Sequence, residues 1–291
     1  VKIVIDNLHI ACQINIEFYT IINKGNRYKP MLHPIFRTFL TLFSFISLST
    51  FSYAQEKIQE PEVSASDAVY MGKSGSNSIV PLPGYEAADK HALNLDKKYK
   101  KIPELAEDLA APFFSDEEKV RSIFIWITDN IAYNCPEFHS DKAQRVSFSY
   151  RTPGELAEKR KKFYYEYATK VLKNRKGICE GYSVLFQELC LANGIPCEIV
   201  IGVASDNVNK IGRLKGKKNF STNHAWVKVK IGNDWFYADP TWASGYCDRA
   251  VKKFFKSYNP EYYLTPVDKL YPTHAVNEKQ TGQRNSLLVK K

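Results

Sequence analysis

His224-Ala225-Trp226-Val227-Lys228-Val229-Lys230-Ile231-Gly232-Asn233-Asp234-Trp235-Phe236-Tyr237-Ala238-Asp239 is the stretch whose reading decides the fold. Residues 224–231 alternate with period two, the mark of a strand with one buried face. Gly232-Asn233 suits the two-residue turn of a hairpin, so residues 234–239 read as the return strand. That turn places Val229 opposite Phe236 and Val227 opposite Ala238. On the other face Trp226 meets Asp239, and His224 becomes the diagonal neighbour of Asp239, within side-chain reach. A one-residue slip would send His224 and Asp239 to opposite faces. The register that buries the apolar residues is therefore the one that brings His and Asp together.

Upstream of the hairpin, Gly177-Ile178 leads into Cys179, and Tyr182, Leu185, Phe186 and Leu189 form the apolar stripe of a helix closed by Gly194. Pro196 then opens a strand over 197–201. The polar run 205–222 carries Lys210, Arg213, Lys215, Lys217 and Lys218, and it reads as a long mobile loop. Two earlier helices announce themselves by capping boxes. One is Ser115-Asp116-Glu117-Glu118, followed by Val120, Ile123, Phe124, Ile127 and Ile131 at helical spacing. The other is Thr152-Pro153-Gly154-Glu155, with Pro at the first helical position. The second helix runs toward Leu172 through Phe163, Tyr164, Tyr165 and Tyr167, a cluster that suits core packing with hydrated hydroxyls, or the lining of a cleft.

Cys179 thus sits where a helix begins, and first-turn amides with the positive end of the helix dipole stabilise a thiolate there. His224 is placed to hold the thiol proton, and Asp239 to fix the imidazole tautomer. This is the nucleophile, base and orienter logic of acyl transfer. Each residue alone is weak: a lone Cys is usually core filler, and Asp before Pro is usually a turn. Their agreement with one helix start and one strand register raises them above chance.

At this point the sequence resembles the transglutaminase-like superfamily. Gly177-Ile178-Cys179-Glu180-Gly181-Tyr182 looks like its nucleophile motif, Asn223-His224-Ala225-Trp226 its His motif, and Trp235 through Trp242 its Asp motif. The resemblance covers about residues 115–246. Asp239-Pro240-Thr241-Trp242, Gly245, and Tyr262-Tyr263-Leu264-Thr265-Pro266 with His274 look most like the kyphoscoliosis-peptidase and cytokinesis-related branch. That branch continues into a Trp-Gln segment, which residues 278–291 lack. The resemblance implies an α+β, papain-like or transglutaminase-core fold, with a nucleophile helix packed on an antiparallel sheet. It implies thiol acyl transfer on protein or peptide amides by Cys179, His224 and Asp239, with the Cys179 amide donating to the oxyanion. No single residue stands out as the second oxyanion donor. A cysteine peptidase is favoured. A protein-crosslinking transglutaminase and a non-catalytic cell-envelope binding module are the alternatives, and the intact set of three argues against the last.

The ends of the chain are read separately. Residues 31–54 read as a secretory signal peptide: Arg37, an apolar run over 39–51, then Ser52-Tyr53-Ala54. The run is shorter than the ~20 residues of a membrane span, so no stable span is expected after cleavage. Residues 1–30 read as an over-extended start ahead of Met31, with a genuine extension as the rival. Residues 55–95 read as a linker or loosely ordered arm, 96–275 as the catalytic domain and 276–291 as a tail. Export to a periplasmic or extracellular compartment follows. It leaves Cys135, Cys179, Cys190, Cys197 and Cys247 as one reactive thiol with up to two disulfides, or as a set of buried thiols.

Across 291 residues, 44% hydrophobic with 17 Phe and 18 Tyr, there is material for a real core, which excludes a disordered or collagen-like chain. The formal charge of +10 is scattered rather than striped, so it reads as solubility and no nucleic-acid partner is expected. No CxxC pair or clustered His supports zinc, and no dense acidic loop supports calcium, so neither metal nor cofactor is expected.

Overall fold

The computed structural model describes residues 78–140, 148–217 and 220–285. The signal-peptide, over-extension and most of the linker readings lie outside these residues. In chain order the elements are α1 (Glu86–Leu93), α2 (Ile102–Ala110), α3 (Asp116–Asn130), β1 (Ala132–Tyr133), α4 (Cys135–Phe138), α5 (Pro153–Asn174), β2 (Lys176–Gly177), α6 (Cys179–Ala192), β3 (Cys197–Ala204), α7 (Val208–Gly212), β4 (His224–Ile231), β5 (Asp234–Ala238), α8 (Pro240–Ser244), β6 (Gly245–Cys247), β7 (Phe254–Lys256), β8 (Thr265–Pro266), β9 (His274–Val276) and α9 (Glu278–Asn285).

The central sheet has the order β8-β5-β4-β3-β9, antiparallel throughout. Its register is the one the hairpin dictates, with Val227 paired to Ala238 and Val229 to Phe236. Val227, Val229, Ala238 and Ile199 are buried in one core with Tyr182, Leu185, Phe186 and Leu189 of α6. The architecture is α+β, a helix beginning at Cys179 packed on an antiparallel sheet.

The helix starts follow from their caps. Ser115 Oγ accepts from the Glu118 amide at 3.2 Å and donates to the Glu118 carboxylate at 2.6 Å. Thr152 accepts from the Glu155 amide at 3.2 Å, while Glu155 accepts from the Arg151 amide at 2.7 Å. Helix α5 runs unbroken from there to Asn174. Gly194, at φ +73°, closes α6 as a left-handed C-terminal cap.

Three expectations are corrected. The reading of 55–95 as loosely ordered fails at α1, where Asp89 and Arg121 of α3 are both fully buried. Arg121 Nε donates to Asp89 Oδ1 at 2.5 Å and Nη2 to Oδ2 at 2.8 Å. A buried acid in a short polar helix gives no apolar stripe to read, because its partner lies 32 residues away. The segment 205–222, expected as a mobile loop, contains α7, and Ile211, Leu214 and Phe220 are buried with Val203 and Ala275. Three apolar anchors among the lysines hold it down. The tail from 276 is likewise built in. The Asn277 amide donates to the Ile201 carbonyl at 2.8 Å, and the Ile201 amide donates to Thr281 Oγ1 at 2.9 Å. Among the described residues no helix is long and apolar enough to cross a membrane.

Candidate active site

Cys179 is the first residue of α6, after Ile178 in extended geometry, and no side chain caps that helix end. The first-turn amides are therefore left to an anion or an oxyanion at the Cys179 position. Two contacts fix the start of α6. The short parallel pair β1–β2 sets Tyr133 beside Gly177. The buried Tyr182 hydroxyl donates to the Ile131 carbonyl at 2.7 Å, tying α6 to the end of α3.

His224 opens β4 and is buried. Its neighbour Asn223 bridges to β3, accepting from the Ala204 amide at 3.0 Å and donating to the Ala204 carbonyl at 3.2 Å. Asp239 follows β5 directly and is fully buried. His224 Nε2 donates to Asp239 Oδ2 at 2.6 Å. Asp239 Oδ1 accepts from the amides of Thr241 at 2.9 Å and Trp242 at 3.0 Å, capping α8. Asp239 thus caps a helix with one oxygen and orients the imidazole with the other.

A second histidine joins the site. His274 of β9 donates from Nε2 to the same Asp239 Oδ2 at 3.0 Å. The oxygens and nitrogens of His224, Asp239 and His274 lie within 4.8 Å of one another, close enough for metal ligation. Both imidazole Nε2 atoms are already engaged on one carboxylate oxygen, so hydrogen bonding accounts for the cluster. The sequence reading used His274 only as part of a family likeness. The three-residue strand that carries it has no periodicity from which its place could be read.

The electrostatics follow from burial and pairing. Burial opposes the imidazolium of His224. The Asp239 charge and hydrogen bond outweigh it, with help from Cys179, and its pKa is raised to about 10. Burial opposes ionisation of Asp239 as well, but the charge and hydrogen bond of His224 and the hydrogen bond of His274 hold its carboxyl well below the usual range. His274 goes the other way: burial dominates the Asp239 bond and lowers its pKa to about 4, so it is neutral at pH 7. Cys179 is near enough to be among the groups that favour the charged imidazole. His224 Nδ1, turned away from Asp239, is buried and has no other partner.

The five described cysteines are all free, and Cys179 is the partly exposed one. Burial pushes the Cys197 and Cys247 thiols up, and the sulfurs of Cys135 and Cys247 lie 3.7 Å apart. Of the two arrangements expected for the cysteines, the buried thiols describe the other four. The tyrosines of α5 divide. Tyr165 is exposed, Tyr167 donates to Glu137 at 3.0 Å, and Tyr164 accepts from Arg284 at 3.1 Å. Arg284 of α9 also pairs with Glu180 at 2.7 Å, next to the candidate nucleophile.

Residues 103–240 match the profile of the Transglutaminase-like superfamily. Kyphoscoliosis peptidase of Mus musculus is 31% identical over 166 residues, 56% of this chain and 21% of that protein. Kyphoscoliosis peptidase of Homo sapiens is 30% identical over 186 residues, 63% of this chain and 24% of that protein. The aligned region thus spans about a fifth to a quarter of the length of these relatives. Among solved structures, the periplasmic domain of TgpA from Pseudomonas aeruginosa is 18% identical, with a TM-score of 0.32, over 57% of this chain and 49% of that one.

Proposed function

We propose, from the premise that residues 103–240 are a domain of the Transglutaminase-like superfamily, that this chain is a thiol acyl-transfer enzyme with Cys179, His224 and Asp239 as its catalytic residues. The observation that carries the reading is the 2.6 Å bond from His224 to a buried, ionised Asp239, which leaves the buried Nδ1 of His224 without a hydrogen-bond partner. His224 already holds the proton as an imidazolium, which Asp239 stabilises, and so leaves Cys179 as the thiolate. The thiolate attacks an amide carbonyl, and the uncapped Cys179 amide donates to the oxyanion. Imidazolium returns the proton to the leaving amine. Water then attacks the thioester, giving up its proton to His224, and a carboxylic acid leaves with the thiol restored.

The substrates are protein or peptide amides, and the favoured reaction is hydrolysis, as a cysteine peptidase. Export to the periplasm or the cell exterior belongs to the same reading and rests on the leader pattern at 31–54. The test is incubation of casein with the protein and a fluorescent primary amine. New casein N-termini that vanish with Cys179→Ala support a peptidase. Cys179-dependent attachment of the amine supports a crosslinking transglutaminase instead. Neither product, from protein whose Cys179 shows no selective alkylation, leaves a binding module.

A further inference from the structure

The geometry points to His274 as a positioning residue that holds the Asp239 carboxylate in the orientation His224 needs. This inference rests on the catalytic reading of Cys179, His224 and Asp239. His274 is fully buried, and burying an imidazole costs free energy unless its nitrogens find partners. Both do. Nδ1 lies 2.9 Å from Thr273 Oγ1 and Nε2 lies 3.0 Å from Asp239 Oδ2. An ionised carboxylate only accepts, so Nε2 carries the proton and Nδ1 accepts from the threonine hydroxyl. The Asp239 carboxylate therefore sets the tautomer of His274, the Thr273 hydroxyl holds the ring by donating to Nδ1, and His274 in turn supplies the fourth donor to Asp239.

With four N–H donors, two on each oxygen, the carboxylate has no freedom to turn about its Cβ–Cγ bond. His274 is itself boxed by rings. Its centroid lies 4.8 Å from Trp242, 5.0 Å from Trp226 and 5.0 Å from Tyr271. The charged and titratable groups that face it are Asp239, His224, Lys215, Tyr271 and Tyr262. Packing alone would be served by Phe or Leu in that box. A fully buried imidazole with both nitrogens engaged is explained by what it donates to Asp239.

Three variants separate these roles. In His274→Gln the amide nitrogen falls near the place of Nε2 and can still donate to Asp239. In His274→Asn the shorter amide reaches Thr273 but not Asp239. Thr273→Val removes the hydroxyl that bonds Nδ1 and holds the ring in place. The readout is the pH profile of iodoacetamide alkylation of Cys179, with near-UV circular dichroism confirming the fold. At pH 6.5 His274→Asn is expected to slow alkylation about 10-fold or more, the size of loss typical when the partner of a first-rank side chain is removed. Thr273→Val should fall between Asn and the unchanged protein, and His274→Gln should stay within about 3-fold. At pH 9.5, where a cysteine of ordinary pKa ~8.5 ionises unaided, all should converge. If the unchanged protein shows no alkylation of Cys179 at pH 6.5, the catalytic reading fails. If it does, and both His274→Asn and Thr273→Val match it, the role given to His274 is wrong. Should His274→Asn prove unfolded, equality of Thr273→Val with the unchanged protein overturns the inference on its own.

Discussion

Replacing Asp239 by Asn removes one charge and changes almost no volume, and its effect can be worked from the hydrogen bonds. Asn Oδ1 can still accept from the Thr241 and Trp242 amides, so α8 keeps its cap. The amide nitrogen then faces Nε2 of both His224 and His274 as a donor. Both imidazoles must turn those nitrogens into acceptors, which puts the His224 proton on Nδ1, the nitrogen that should receive the thiol proton. The charge matters equally. The pKa of His224 stands at about 10 against burial that works to lower it. From a reference of ~6.5, at ~1.4 kcal/mol per unit, the pairing offsets burial and leaves a net on the order of 5 kcal/mol in favour of the imidazolium. Without it, burial alone remains and the imidazole is neutral at pH 7. The equivalent change costs a serine enzyme ~10⁴ in rate, and a thiol is the more acidic nucleophile, so a loss of ~10²–10³ is expected. The assay is Cys179 alkylation against pH, with turnover on whichever amide the casein test yields. Asp239→Ala, which abandons four hydrogen bonds, should also lower the melting temperature. An Asn variant with unchanged alkylation rate and pH profile would refute the argument and leave Asp239 a helix cap.

Asp89→Ala strands the fully buried Arg121 guanidinium, so it should cost about 3–5 kcal/mol and show as a lower urea midpoint with a similar slope. Gly202→Ala would set a Cβ 2.1 Å from the Ala275 carbonyl oxygen and 2.6 Å from the Trp226 ring. It should destabilise by ~1–3 kcal/mol and slow Cys179 alkylation, because β9 and His274 must move away from β3. Stability should vary with pH on both sides of neutrality. His274, lowered to about 4, binds its proton in the unfolded chain first, so stability falls as pH drops from ~6.5 toward 4. His224, raised to about 10, binds its proton more tightly in the folded chain, so that contribution is lost as pH rises from ~6.5 through 10. Melting temperatures should peak near pH 6–7, and His274→Gln should flatten the acid side; an unchanged acid side would remove His274 from the explanation.

How far the sequence could be read depended on whether the cause lay nearby in the chain. The 224–239 register follows from alternation and a two-residue turn, both local, and the paired residues match it. The helix starts at Asp116, Pro153 and Cys179 follow from caps and punctuation within a few positions. What escaped was fixed from far away. Asp89 is held by Arg121 across 32 residues, and Thr281 by Ile201 across 80. Five basic residues around Ile211 and Leu214 masked the apolar anchors of a segment that packs on Val203. His274 was visible as a letter, but its bond to Asp239 spans 35 residues and needs a sheet order no local pattern encodes.

The central claim is that Cys179, one of the five free thiols among the described residues, is a nucleophile made reactive by its helix start and by a buried His–Asp pair. Brief treatment of the native protein with limiting iodoacetamide at pH 6.5, followed by peptide mass mapping of Cys135, Cys179, Cys190, Cys197 and Cys247, tests it directly. The account predicts label on Cys179 well before the others, with the preference lost in His224→Ala that retains the fold. Equal labelling of several cysteines, or a Cys179 whose rate is indifferent to His224, would contradict it.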